Sequence, residues 1–281
     1  MKVLVTGGNG TVGRHVVDRL LLAPEVDKII VFNNNEYNQY LMKKDYDGID
    51  KIRYFLGDIR SRDRLSMAFR NIDIVIHTAA LKQIDTLEME PLEGIETNVE
   101  GSKNVMFAAI ERSVKKVLHI STDKAVDPSG LYGATKLVAD ELFINAHRYC
   151  GVTQTKFASI RFGNIWGSRG SVVEYFNKLK KDGVDTFPVT HKDMVRYFIH
   201  PDEVAERIYQ ATQKMNGGEI FVPVMEERKI IDVAKEIHPG CKITYVGLRP
   251  GEKIKELLVS EADKLYTKRE GNFWITRKPT L

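Results

Sequence analysis

Short apolar, β-branched runs recur along the first 163 positions, and each is followed by a polar turn or an amphipathic stretch: "KVLVT", "KIIVF", "KIRYF", "DIVIH", "KVLHI" and "KFASI". Strand-like runs alternating with helical spacing predict an α/β fold, a parallel sheet wound on both faces. After Gly163 the rhythm loosens. Helical patterns fall near Ser171 to Lys181 and Pro201 to Met215, the runs "EIFVP" and "KITYVG" read as strands, and a further helix is expected between them. The expected division is a main sheet domain over 1–163, to which some later segments return, and a smaller α/β lobe over 164–281. Ligands of such sheets bind beyond the carboxyl ends of the strands, so a cleft between sheet and lobe is expected.

Composition narrows the class. With 281 residues and 43% hydrophobic content, the chain can build one large core or a main domain with a satellite. A net charge of +4, from 42 basic and 38 acidic residues, is too balanced for a polyanion-binding surface, which excludes nucleic acid as the main partner. Cys150 and Cys241 are the only cysteines. The chain opens on "MKVLVTGG" and contains no apolar run of transmembrane length. The expectation is a cytoplasmic protein with reduced thiols and no membrane partner. The seven histidines show no metal-binding spacing, and no metal is expected.

Three segments carry candidate chemistry. "TGGNGTVG" places Gly7, Gly10 and Gly13 between a strand and a helix, with Thr11 and Val12 at the helix start. Glycine permits the tight turn and lets backbone approach a pyrophosphate at the helix N-terminus, the signature of a dinucleotide site. "GDIR" adds Asp58 and Ile59 at a strand end, placed to meet an adenine ring. The end of the second strand, "FNNNEYN", carries Asn33, Asn34 and Asn35 with Glu36 and no cation before Lys43. No clamp for a 2′-phosphate is evident there, which favours NAD over NADP.

The third segment is "STDKAVDPSGLYGATK". Tyr132 and Lys136 lie four apart, on one face of a helix, where an ammonium can favour the phenolate of a tyrosine that ordinarily titrates near 10. Such a tyrosine can take a proton from a sugar hydroxyl as hydride leaves the carbon, with Thr122 bonding the same hydroxyl. Asp123 and Lys124 are surplus to that oxidation. Once a hexose carbon 4 is a ketone, the carbon 5 proton is acidic, and a base there with an acid beside the carbon 6 hydroxyl can eliminate water. A lysine and a neutral aspartate fill those roles if burial shifts both, or if they share a proton. A salt-bridged pair capping a loop is the structural alternative.

With these residues in view, the chain resembles the extended short-chain dehydrogenase/reductases and, within them, the inverting UDP-N-acetylglucosamine 4,6-dehydratases. "TGGNGTVG", "AALKQID", "TNVEGSKNV", "STDKAVDPSGLYGATK", "RFGNIWGSRGSV", "GGEIFVP" and "LRPGEK" follow the family's order. The Asp-Lys pair is the discriminating mark, because retaining dehydratases of nucleotide-glucose carry Asp-Glu there. The resemblance implies a Rossmann-type doubly wound sheet with a C-terminal substrate lobe. It also implies a tightly bound NAD or NADP regenerated at each turnover, a UDP-sugar substrate and a homo-oligomer. It implies that Tyr132 deprotonates the carbon 4 hydroxyl, Lys124 removes the carbon 5 proton, Asp123 protonates the leaving carbon 6 hydroxyl, and carbon 5 is inverted. Substrate contacts carry over to Lys82 near cofactor and sugar, Asn164 and the Gly167 to Ser171 turn with Val172 near the diphosphate, and Arg249 with Glu252 at the nucleotide; Arg196 is a further phosphate candidate.

The chain departs from the family's pattern at Asn33-Asn34-Asn35-Glu36, where Ser-Arg-Asp-Glu is common and the Arg faces the 2′-phosphate of NADP. It departs again at Trp166, and at His200-Pro201 ahead of a helix. Competing readings are a UDP-hexose 4-epimerase, which has no use for Asp123-Lys124, a plain alcohol dehydrogenase, and a non-enzymatic cofactor-sensing protein of the same fold.

Overall fold

The computed structural model describes residues 1–249 and 251–279. The early apolar runs form β1 (Lys2–Thr6), β2 (Lys28–Asn33), β3 (Ile52–Leu56), β4 (Ile74–His77), β5 (Lys116–Thr122) and β6 (Lys156–Phe162). They pair in parallel in the order β3-β2-β1-β4-β5-β6. The helices between them are α1 (Thr11–Leu21), α2 (Glu36–Asp45), α3 (Arg62–Ala68), α4 (Ile84–Met89), α5 (Pro91–Ile95), α6 (Gly101–Glu111) and α7 (Leu131–Ile144). A π-helical turn, Glu96–Glu100, joins α5 to α6. Chain direction across the sheet reverses between β1 and β4, and the crevice at that reversal is where ligands of doubly wound sheets bind.

Alternation along β1 shows how the sheet divides the core. Val3 and Val5 pack with Val16, Val17 and Leu20 of α1, which recur at helical spacing, whereas Leu4 faces Leu65, Val105 and Met106 on the opposite side. All of these are buried.

Beyond Gly163 the chain moves between two places. β7 (Asn164–Ile165), α8 (Val172–Lys181), β8 (Thr186–Val189) and β9 (Val195–Ile199) build the lobe. α9 (Pro201–Lys214) and β10 (Glu219–Pro223) return to the main sheet, β11 (Glu226–Lys229), α10 (Ile230–Ile237) and β12 (Lys242–Tyr245) belong to the lobe, and β13 (Thr267–Glu270) and β14 (Phe273–Arg277) return to the sheet. Among the described residues the main sheet therefore has nine strands, β10 parallel to β6 and the last pair antiparallel. "EIFVP", expected in the lobe, is in this sheet because every one of its residues is buried, which suits a strand flanked on both edges. Likewise α9 lays Val204, Ala205 and Ile208 into the α1 side of the core. The lobe has its own core of Val173, Phe176, Phe187, Met194, Phe198, Val233 and Ile237. No helix among the described residues is long and apolar enough to cross a membrane.

Phe143 of α7 is fully buried, with its ring stacked on His119 at 4.8 Å and edge-on to Phe157 at 5.8 Å. Truncation leaves a cavity beneath the catalytic helix, so Phe143→Ala is expected to lower stability by about 3–5 kcal/mol in urea unfolding, with an unchanged slope if the folded state is otherwise kept.

Candidate active site

The glycine-rich loop follows β1. The Gly7 N–H donates to the Phe32 carbonyl at 2.7 Å, and φ at Gly7 is +67°, a left-handed conformation that only glycine adopts cheaply. A Cβ there would lie 2.9 Å from the Ala79 backbone, and one at Gly13 would lie 2.6 Å from the Gly8 Cα. Gly13 thus lets α1 close on the loop. Gly10 starts α1 in extended backbone with no side-chain cap, so the N–H groups of Thr11, Val12 and Gly13 are left for another acceptor. This cradle fits the pyrophosphate of a nicotinamide dinucleotide.

At the adenosine end, Asn34 Nδ2 donates to Asp58 Oδ2 at 3.2 Å, and Asp58 also takes Arg60 Nη2 at 2.9 Å. Arg60 is further engaged by Glu93 and Glu96. Asn33 is buried with neither amide atom partnered, and Asn35 caps α2 by accepting from the Asn38 N–H at 2.8 Å. Ile59, expected to meet the adenine, has its side chain packed into the core under α6, where a Cβ on Gly101 would lie 2.6 Å from its Cδ1, which leaves its backbone for such a contact.

β5 ends at Thr122, and the chain turns at once through a short 3-10 turn, Asp123–Ala125, capped by the Thr122 side chain. Asp123 is buried; its Oδ1 accepts from Thr122 Oγ1 at 3.0 Å and Lys124 Nζ at 3.1 Å, while Oδ2 has no hydrogen-bond partner. α7 docks on this turn through Gly133. A Cβ at that position would overlap the Lys124 carbonyl, so glycine is required by space alone. The neighbouring Tyr132 is thereby fixed against the turn.

Lys136 does not hold the tyrosine in the way its spacing suggested. Its Nζ donates to the Ile120 carbonyl at 2.7 Å and to His119 Nε2 at 3.1 Å. Burial pushes the Tyr132 hydroxyl up from its ordinary value, and the Asp123 carboxylate adds to this, with Thr122 pulling the other way. Burial lowers Lys136 to about 8, against the attraction of Asp140. His119 is held neutral by burial and by Lys136, so its Nε2 accepts. Asp140 in turn takes Ser121 Oγ at 2.8 Å and Arg161 Nη2 at 3.0 Å. His119, Asp140 and Arg161 were not singled out in the sequence, although Asp140 lies one turn beyond Lys136 and His119 two residues before Ser121 on the same strand face.

The lobe contacts differ in kind. Lys82 Nζ donates to the Arg169 carbonyl at 2.7 Å, tying the loop after β4 to the turn before α8. Ser171 caps α8, accepting from the Glu174 N–H, and Val172 begins that helix against the lobe core. Asn164 is half-buried in β7 beside Phe198. Arg249 is exposed and its N–H donates to Glu252 Oε2 at 3.1 Å; Pro250 of the same motif lies outside the described residues. Arg196, suggested as a phosphate contact, directs Nη1 to the Ile254 carbonyl at 3.0 Å and Nη2 to the Lys253 carbonyl at 2.8 Å, so it fastens backbone. The two departures Trp166 and His200 explain each other: their rings lie 5.6 Å apart, with Phe198 edge-on to Trp166. The sequence reading missed Gly133 and also Glu256, whose Oε1 is 3.5 Å from Lys124 Nζ; only its position just after "LRPGEK" could have drawn attention to it.

Because Lys136 titrates near 8 when folded and near its ordinary value when unfolded, the unfolded chain binds the proton more tightly. Folding is penalised fully below pH 8, and the penalty fades as pH rises towards 10. Lys136→Met is therefore expected to gain about 1–3 kcal/mol of stability at pH 7, a margin that narrows between pH 8 and 10 in parallel denaturant titrations.

A family model described as polysaccharide biosynthesis protein matches residues 3–278. A UDP-N-acetylglucosamine 4,6-dehydratase (inverting) of Campylobacter jejuni is 40% identical over 272 residues, covering 97% of this chain and 81% of the relative. A UDP-glucose 4-epimerase of Rickettsia akari is 34% identical over 268 residues, covering 93% and 78%. The X-ray structure of Pen from Bacillus thuringiensis superposes with a TM-score of 0.92 at 36% identity, over 99% of this chain and 86% of that one. DesIV, a dTDP-glucose 4,6-dehydratase from Streptomyces venezuelae with NAD and TYD bound, superposes with a TM-score of 0.81 at 25% identity, over 92% and 88%. The glycine cradle, the Thr122–Tyr132–Lys136 set and these similarities agree: the chain belongs to the polysaccharide biosynthesis protein family, within the extended short-chain dehydrogenase/reductases.

Proposed function

We propose that the chain is a nucleotide-sugar 4,6-dehydratase that converts UDP-N-acetylglucosamine to a 4-keto-6-deoxy sugar with inversion at carbon 5. The observation that carries this reading is the Asp123–Lys124 pair, joined at 3.1 Å on a turn that α7 and Tyr132 abut. A nicotinamide dinucleotide held at the Gly7–Gly13 loop would supply reversible hydride transfer, which lets carbon 4 be oxidised and carbon 6 reduced with no net change in the cofactor. Tyr132 takes the proton of the carbon 4 hydroxyl, with Thr122 orienting that hydroxyl. Lys124 then removes the acidified carbon 5 proton, and Asp123 gives a proton to the carbon 6 oxygen as it leaves as water. Reprotonation of carbon 5 on the opposite face gives the inverted product. The same scaffold suits the 4-epimerase named among the relatives, but that reaction leaves Asp123 and Lys124 without a role.

The reading is tested by NMR of the purified protein with UDP-N-acetylglucosamine in deuterated water. A 6-deoxy-4-keto product with deuterium at carbon 5 and no net cofactor reduction is expected, and Lys124→Ala should lose at least about a hundredfold in rate. A carbon 4 epimer as sole product would overturn the assignment.

Within the same reading the cofactor is NAD. β2 ends in uncharged Asn33 and Asn34, the latter bound to the Asp58 carboxylate, and Arg60 is already shared among Asp58, Glu93 and Glu96. A ribose hydroxyl suits that surface; a 2′-phosphate would meet the Asp58 carboxylate, whose neighbouring cation Arg60 is already engaged by three carboxylates. Calorimetric titration of cofactor-stripped protein is expected to show NAD binding at least about tenfold more tightly than NADP, a difference of about 1.4 kcal/mol.

A further inference from the structure

The lobe sends one more ionisable side chain into the catalytic turn. Glu256 is 4% exposed; its Oε1 lies 3.5 Å from Lys124 Nζ and its Oε2 3.6 Å from Lys253 Nζ. Neither oxygen receives a hydrogen bond from these ammonium groups at ordinary distance, and Oε2, though ion-paired with Lys253, has no hydrogen-bond partner. Buried carboxylates that serve only the fold are hydrogen-bonded as fully as geometry allows, because an uncompensated buried charge costs several kcal/mol. Glu256 and Asp123 share the Lys124 ammonium, and each keeps one oxygen without a hydrogen bond.

The segment carrying Glu256 is fastened on both sides. Arg196 holds the carbonyls of Lys253 and Ile254, the Val195 N–H donates to the Ile254 carbonyl at 3.0 Å, and Lys255 pairs with Glu227 at 2.6 Å. From the sheet side, Lys253 Nζ donates to the Val126 carbonyl at 2.8 Å, immediately after the catalytic turn. The position of Glu256 is thus set from both the lobe and the sheet.

We propose that Glu256 is a positioning residue for Lys124 in the dehydration step. Its carboxylate shares Nζ with Asp123, so that the lysine is held between the two within reach of carbon 5 while Asp123 Oδ2 stays open to serve carbon 6. This rests on the dehydratase reading above. The proton shared by the pair first passes from Lys124 Nζ to Asp123; the Lys124 lone pair so freed takes the carbon 5 proton, the electrons of that bond form the carbon 5–carbon 6 double bond as the carbon 6–oxygen bond breaks, and the Asp123 proton leaves with the oxygen as water. Glu256 neither gains nor loses a proton.

The test compares wild type, Glu256→Gln and Glu256→Asp with UDP-N-acetylglucosamine and NAD in deuterated water. It follows deuterium entry at carbon 5 by NMR, and carbon 4 oxidation by the transient absorbance of reduced nicotinamide. For Glu256→Gln, carbon 5 exchange and kcat should fall by about tenfold to a hundredfold, with KM and the amplitude of carbon 4 oxidation kept. Glu256→Asp retains the charge and should lose only several-fold, which keeps the proposal testable if the neutral variant fails to fold. Equal loss of carbon 4 oxidation and carbon 5 exchange in the variants, or no loss of either, overturns the positioning role while leaving the dehydratase reading intact. Failure of wild type to dehydrate the sugar would overturn both.

Discussion

The backbone of α7 rests against the Lys124 carbonyl at a glycine, Gly133, and the site depends on that approach. Tyr132 precedes the contact and Lys136 follows it by less than one turn of helix, so the depth at which α7 settles sets both. The same contact braces the 3-10 turn that carries Asp123 and Lys124. A sheet end, a turn and a helix are locked at one point where no side chain fits. Placement errors of about 1 Å can cost two orders of magnitude in rate, and a backbone contact is stiffer than any rotamer.

Beneath this junction the protein accepts an electrostatic cost. Lys136, His119, Asp140 and Arg161 are all buried, and burial drives Lys136 and His119 towards their neutral forms. An apolar filling would be easier to hold, as buried ion networks rarely out-compete well-packed hydrocarbon. What the charges do provide is direction: Lys136 is aimed by the Ile120 carbonyl and His119, and Asp140 ties α7 to β5 and β6 through Ser121 and Arg161. Sites whose geometry must be narrow commonly retain groups that weaken the fold.

The sheet was legible because its strands are short, β-branched and separated by helical spacing, and the loop was legible because only glycine tolerates the turn at Gly7 and the helix approach at Gly13. The Thr122, Asp123, Lys124 and Tyr132 set is local in sequence, and the structure brings it together. What sequence could not supply was contact across distance. "EIFVP" reads the same in a lobe or a sheet, and only its burial on both faces places it. Lys136 has the right spacing for Tyr132, but its partners come from β5. Arg196 looked like a phosphate ligand because a lone arginine carries no sign of the carbonyls it will meet. At Ile59 the strand end gave no warning of the helix that covers its side chain.

The lobe's grip on the catalytic turn has a consequence for how chemistries diverge on this scaffold. Replacing Lys124 by glutamate would set three carboxylates around one buried point, Asp123, Glu256 and the newcomer, with Lys253 the one cation paired to them among the described residues. A single exchange would therefore strand charge, and this turn accepts a carboxylate at 124 only if Glu256 is exchanged along with it.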